Sequence, residues 1–179
     1  VDTSKGKIFD MMYEKSLEGE ADCGGLVSYN YYSGEPVTGL AEGRPLLLRT
    51  PDSKLSFGNF SRNLLYSAMA SLKIGMDLLK DESVEVEELY GHGGYYIYPR
   101  VGQSITAAAL GAPVSVMKTA GEGGPYGMAL LAAYMLNKAE GETLEAYLNA
   151  HVFADAVGST LNPEQADVDG FNSYIKQYK

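Results

Sequence analysis

The feature that most constrains the fold is a unit of strand, glycine-rich turn and helix that occurs twice in succession. Glu88-Leu89-Tyr90 runs into Gly91-His92-Gly93-Gly94 and is followed by helical spacing from Val101 to Leu110. Pro113-Val114-Ser115-Val116-Met117 then runs into Gly121-Glu122-Gly123-Gly124-Pro125-Tyr126-Gly127, with helical spacing from Met128 to Asn137. A strand, a crossover helix and a second strand at this separation imply a parallel pair, because a crossover connection returns the chain in the same direction. The sequence therefore predicts an α/β protein. In open α/β sheets ligands bind at the carboxyl ends of the strands, where both glycine turns fall.

Glycine lets backbone approach a ligand without interference from Cβ, and the helix that follows offers amides and a dipole that favour anions. Read alone, Gly91–Gly94 is either a nucleotide contact or a tight turn that needs positive φ. Two such turns on adjacent parallel strands lie side by side and could flank a single ligand. The spacing is neither that of a Walker loop nor the Rossmann Gly-x-Gly-x-x-Gly. Glu122 would repel phosphate, so the second turn is assigned mainly to helix packing, with Gly127-Met128-Ala129 and Ala132-Ala133 bringing a helix close to the sheet. Gln103, in the first turn of the intervening helix, either donates to a ligand or caps backbone.

Charge and composition remove several function classes. Fourteen Lys and Arg stand against 23 Asp and Glu, a net charge of −9. That balance disfavours nucleic acid and anionic membrane surfaces as partners. The single cysteine, Cys23, excludes an intrachain disulfide and a multi-thiolate zinc site, and only His92 and His151 accompany it. No run approaches the roughly 18 apolar residues that span a bilayer. The expectation is a cytoplasmic protein of a reducing compartment, with 45% hydrophobic residues to build a core. No nucleophile constellation emerges: Cys23 lacks a spaced histidine and is read as structural, and no serine sits in a nucleophile elbow. His92 is better satisfied by backbone than by a ligand, His151 is structural, and spacing selects no carboxylate as general base.

The first half reads differently. Leu26–Tyr32 and Pro45–Arg49 are strand candidates, closed by Ser33-Gly34-Glu35-Pro36 and Thr50-Pro51-Asp52-Ser53. From Phe60 the period becomes helical. Phe60, Leu64, Ala68, Leu72, Met76 and Leu79, widened by Leu65 and Met69, form a stripe expected to face the core, and Lys80-Asp81-Glu82-Ser83 ends it. Near the end of the chain Thr143 can cap a helix over Leu144 to Phe153. Asn162-Pro163-Glu164-Gln165 offers an N-cap and a capping box for a last helix, with Val168, Phe171, Ile175 and Tyr178 on one face.

Taken together, these segments resemble a family. Glu88-Leu89-Tyr90-Gly91-His92-Gly93-Gly94, Val101-Gly102-Gln103 with Ala107-Ala108-Ala109-Leu110, Ala112-Pro113-Val114-Ser115-Val116-Met117, and Ala120-Gly121-Glu122-Gly123-Gly124 through Gly127-Met128-Ala129-Leu130-Leu131-Ala132-Ala133 are similar to the C-terminal, ATP-binding domain of FGGY-family carbohydrate kinases, close to xylulokinase-like members. Tyr31-Tyr32-Ser33-Gly34-Glu35 resembles the family's Pro-Tyr-Leu-x-Gly-Glu stretch, with Asn30 for the proline and Pro36 for the usual arginine. Lys54-Leu55-Ser56-Phe57-Gly58 through Asn63-Leu64 and Ser67-Ala68-Met69 resembles the second family signature, with Ala70 where an acidic residue or glutamine is usual. The resemblance covers Ala21 to Tyr178 and keeps the motif order.

What the resemblance implies is a ribonuclease-H-like, actin-like ATPase fold and an ATP-dependent sugar kinase, with Mg²⁺ assisting transfer to a ketopentose such as xylulose. It also implies cofactor contacts at Gly93 and Gly94 on the adenine and ribose side, at Gly58 before the long helix, and at Gln103. The interval from Gly91 to Gln103 is longer than the usual family spacing. The N-terminal sugar domain with its catalytic aspartate, and the early loop for the β- and γ-phosphates, have no counterpart in these residues. Residues 1–179 are therefore expected to be the later part of the C-terminal domain, with 1–20 a lead-in segment, no catalytic residue of their own, and no turnover alone. The start at Val1 fits an excised piece and equally fits tag removal or processing. Two competing readings are a non-catalytic association module using exposed tyrosines and terminal helices, and an actin-like ATPase with a non-sugar acceptor. A homodimer is left open.

Overall fold

The computed structural model describes residues 4–98, 100–154 and 158–179. The first three residues of the expected lead-in segment lie outside that range. The remainder of the lead-in forms helix α1 (Lys5–Ser16), which lies along the start of the long helix α2 (Phe57–Asp81). Ser56 caps α2, its Oγ accepting from the Asn59 amide at 3.1 Å, so the helix begins one turn before the predicted stripe. The two helices meet at glycines: a Cβ on Gly58 would stand 3.0 Å from the Lys15 carbonyl oxygen, and one on Gly19 would stand 2.8 Å from that of Gly58.

The face that α2 buries is not the predicted one. Leu72 and Leu79 are exposed and Leu64 and Met76 half-buried, whereas Asn59, Ser61, Arg62, Asn63, Tyr66, Ser67 and Ala70 are buried. These polar side chains can lie inside because neighbouring segments satisfy most of them. Asn59 accepts from the Glu20 amide at 2.7 Å and donates to the Lys54 carbonyl at 2.9 Å. Ser67 accepts from the Asn30 amide at 3.1 Å, and Asn63 donates to Ser28 Oγ. Arg62 donates to the Ser16 carbonyl and to Asp167. Burial of polar groups costs little when each finds a partner. From the predicted stripe, Phe60, Leu65 and Met69 pack against the core.

That core is aromatic. Strands β1 (Val27–Tyr29) and β2 (Leu46–Leu48) fall within the two expected segments, and they form an antiparallel pair beside α2. The last helix, α6 (Gln165–Tyr178), closes over them, and Tyr66 meets Phe171 and Tyr174 edge-on at centroid distances of 4.8 and 5.3 Å. The predicted face of α6 is borne out in Phe171, Ile175 and Tyr178. Its cap is not: Glu164 precedes the helix without a capping bond and Gln165 donates to Asp169, because residues up to Leu161 are drawn into a strand instead.

The parallel pair is present. Strand β3 (Leu89–Gly91) runs beside β4 (Val114–Met117) in the register Leu89↔Val114, with α3 (Val101–Leu110) as crossover. An unpredicted strand, β5 (Gly158–Leu161), pairs antiparallel with the other edge of β4, giving the order β3-β4-β5. Helix α4 (Gly123–Asn137) starts at Gly123 rather than Met128, since Pro125 falls in the first turn, where its missing N–H costs nothing. The expected close packing of α4 on the sheet is absent among the described residues. No residue of α4 is buried, and its partner is α5 (Leu144–His151), through Tyr134 against Tyr147. Thr143 caps α5 as its sequence predicts.

Candidate functional site

Because β3 and β4 run parallel, their carboxyl ends emerge together and the two glycine segments become neighbours. The Gly93 amide donates to the Ala120 carbonyl at 2.6 Å, and a Cβ on Gly123 would lie 2.8 Å from that of His92. The expected side-by-side arrangement is thus met, although the second segment is a short turn over Ala120–Glu122 running straight into α4, not an open loop. The Glu122 side chain, on which the assignment of that segment to helix packing turned, lies outside the described residues. Gly93 holds φ 94° and ψ −178°, a region essentially restricted to glycine. A Cβ on Gly93 or Gly94 would meet nothing within 4 Å, so both present bare backbone to open space.

A cavity lies on each side of this junction, with Met117 in the wall of both. The larger, about 750 Å³, is lined by Tyr90, His92, Thr119, Tyr126, Asn149 and Phe153 among others. The smaller, about 540 Å³, includes Ile97, Arg100, Gln103, Lys118, Gly121 and Ser159. Both fall in the range of roughly 300–1,000 Å³ typical of small-molecule sites. The larger carries the aromatic side chains of Tyr90, Tyr126 and Phe153. The smaller carries two cations.

The walls are anchored by hydrogen bonds from behind. Glu88 accepts from Ser115 Oγ and from the Tyr90 hydroxyl at 2.9 Å. Those bonds, that from Ser115 first, hold the Glu88 carboxyl below the usual range, and the bond to Glu88 pushes the Tyr90 phenol up. The Tyr90 hydroxyl is thereby held on Glu88, with its side chain in the lining of the larger cavity. Gln103 donates its Nε2 to the carbonyls of Val114 at 3.1 Å and Ser159 at 2.8 Å, while its Oε1 accepts from Ser159 Oγ at 3.3 Å. Of the two roles open to it, Gln103 takes the backbone one: it joins α3 to β4 and β5 and forms part of the cavity wall.

The site residues expected from the resemblance therefore separate. Gly93 and Gly94 sit at the junction and Gln103 behind it. Of the four, Gln103 alone lines a cavity, the smaller one; Gly58 lines neither and serves the contact of α1 with α2. Cys23 is buried, and desolvation pushes its thiol up, as a structural cysteine requires. His92 is exposed at the rim, and His151 packs its ring on Tyr147. Sequence reasoning missed Arg100, Lys118, Tyr126, Asn149 and Phe153. Arg100 and Lys118 had a local signal, since each lies within a few residues of a glycine turn. Asn149 and Phe153 had none, being delivered by tertiary packing. Among the described residues no group of three or more His, Cys, Asp or Glu is gathered for a metal ion, and no helix is long and apolar enough to cross a membrane.

Comparison with known proteins gives the setting of this geometry. The profile of the FGGY family of carbohydrate kinases, C-terminal domain, matches residues 3–136. Among solved structures, xylulose kinase from Rhodospirillum rubrum matches with a TM-score of 0.72 at 18% identity, over 98% of this chain and 34% of that one. Gluconate kinase from Lactobacillus acidophilus matches with 0.69 at 16%, over 93% and 32%, and Plasmodium falciparum glycerol kinase with ADP with 0.68 at 15%, over 97% and 34%. The fold is that of these kinases, the actin-like ATPase type. The chain spans about a third of the length of each. No curated protein matches it.

Proposed function

Because the chain belongs to the FGGY family of carbohydrate kinases, we propose that it is the later, nucleotide-side part of the C-terminal domain of an ATP-dependent sugar kinase. The observation that carries this reading is the hydrogen-bonded pair of glycine turns at the carboxyl ends of parallel β3 and β4, with a cavity on either side. Bare backbone at Gly93 and Gly94 meets the adenine and ribose of ATP, where a side chain would stand in the way. Gln103 holds the wall behind them.

Phosphoryl transfer depends on positioning and on stabilising charge, with little covalent chemistry for the protein to perform. The residues of this chain bind and orient the nucleoside, and the catalytic base and sugar pocket lie in the rest of the parent enzyme. Mg²⁺ would come with the phosphates of ATP, since among the described residues no group of three or more His, Cys, Asp or Glu is gathered to hold it. The acceptor is a sugar or polyol hydroxyl. Xylulose, or a related ketopentose, is the reading favoured by the likeness to xylulose kinases, while gluconate and glycerol kinases at similar scores keep the class broad. The net charge of −9 disfavours nucleic acid and anionic membrane surfaces as partners, and the single cysteine fits the reading of a cytoplasmic enzyme that takes small molecules.

The test is kinase activity of the full-length parent against ketoses and polyols, assayed beside this chain. Turnover of a pentulose by the parent with silence from the chain supports the reading; a parent that binds ATP and phosphorylates nothing on a broad panel defeats the sugar assignment. The association reading keeps one supporting observation, the bare helix α4, whose Met135 and Leu136 are 75% and 85% exposed. The tyrosines support it less, since Tyr31, Tyr66, Tyr147, Tyr174 and Tyr178 are buried. Solution mass rising with concentration would favour it.

A further inference from the structure

The smaller cavity is lined by two cations, Arg100 and Lys118. Half of the lysines and arginines hold a carboxylate in an ion pair; Arg100 and Lys118 belong to the other half among the described residues, are both exposed, and line this one cavity together. Arg100 also occupies left-handed backbone, with φ 69°, at the start of α3. A non-glycine residue there carries a backbone cost that the surrounding structure has to hold in place. The two cations come from opposite sides of the junction, one following the Gly91–Gly94 turn and the other preceding Ala120, which accepts from Gly93.

We propose that Arg100 and Lys118 form an anion clamp at the mouth of this cavity and that it takes the phosphate nearest the ribose of the bound nucleotide. The inference rests on the nucleotide reading above and names the side chains that would discriminate a nucleotide from its nucleoside. Guanidinium and ammonium groups donate charge-assisted hydrogen bonds to phosphate oxygens, the guanidinium in a fixed fork and the ammonium as a point charge. A local cationic pair also answers a physical need. A chain of net charge −9 repels a polyanion at long range, so attraction has to be supplied within a Debye length of the site, about 8 Å at physiological ionic strength.

The experiment measures binding of ADP, AMP and adenosine by calorimetry to the full-length parent enzyme carrying Arg100→Gly, Lys118→Met or both. Arg100→Gly suits left-handed backbone, so lost binding in that variant is not lost fold, and circular dichroism checks the point. The expected result is a fall in ADP and AMP affinity of about five- to tenfold for each single variant, with adenosine within about twofold of wild type. Unchanged ADP and AMP affinity, or adenosine weakened as far as the nucleotides, overturns the clamp. The nucleotide reading fails on a separate observation, a wild-type enzyme that binds none of the three. In that event pyrophosphate bound by the wild type and released by the double variant upholds the anion site, and pyrophosphate left unbound removes it.

Discussion

Gly93 donates its backbone amide to the carbonyl of Ala120 at 2.6 Å, which makes one unit of two glycine segments that are separated in sequence by the whole of α3 and β4. Any ligand held at the first turn is therefore registered against the second. The second segment lines both cavities, through Gly123 in the larger and Ala120 and Gly121 in the smaller.

Adjacent glycines in this unit should respond differently to substitution. Gly93→Ala forces a Cβ into backbone that only glycine adopts freely and is expected to cost roughly 1–3 kcal/mol of stability. Gly94 has ordinary backbone and open space beyond it, so Gly94→Val should fold and raise the ATP Michaelis constant of the parent by about tenfold, through steric exclusion of the nucleoside. Urea unfolding and steady-state kinetics separate the two effects. An unchanged constant in folded Gly94→Val would remove Gly94 from the site.

Gln103 is expected to behave as a structural residue. Gln103→Met leaves the Val114 and Ser159 carbonyls without their donor and should cost roughly 2–3 kcal/mol. The ATP Michaelis constant of the surviving folded enzyme should stay within about twofold, since the amide is spent on backbone. A large rise in that constant without loss of stability would instead make Gln103 a ligand contact.

The buried pair at 3.0 Å between Arg62 and Asp167 ties α2 to α6, and its halves are unequally covered, at 5% and 23% side-chain exposure. Asp167→Asn strands a buried guanidinium and is expected to cost about 3 kcal/mol, whereas Arg62→Met strands a carboxylate that water can reach and should cost less, about 1–2 kcal/mol. Denaturant midpoints of the two variants give the order directly. Equal or reversed losses would contradict it.

Burial pushes the phenols of Tyr66 and Tyr174 above their ordinary value of 10.0. The folded state then binds these protons more tightly than the unfolded chain, so the stabilisation is fully present below pH 10 and is lost as pH rises beyond it. Alkaline titration should show exposed tyrosines such as Tyr32 ionising first, and the buried ones only together with unfolding, read by tyrosinate absorbance and circular dichroism. Ionisation of every tyrosine in one step with the fold intact would refute this.

What was legible in the sequence was local. Period-two and helical spacing located β1 to β4, α2 and α3, and the repeated strand, turn and helix implied the parallel pair at whose carboxyl ends the two glycine segments meet. Each of these signals depends on residues a few positions apart, which a chain carries with it before it folds. The glycines of the junction, Gly93 and Gly94, were legible for the same reason.

Tertiary structure decided the rest, because burial and hydrogen-bond partners belong to neighbours that lie far away in the chain. It turned the polar flank of α2 inward once Glu20, Lys54, Ser28 and Asn30 arrived to satisfy it. It spent Gln103 on Ser159 of a strand too short to announce itself, and left α4 uncovered although its composition reads as core. It also set Arg100 and Lys118 at one cavity. Their charges are plain in the sequence, but their meeting is not, since it depends on two turns being held together by a single bond from Gly93 to Ala120.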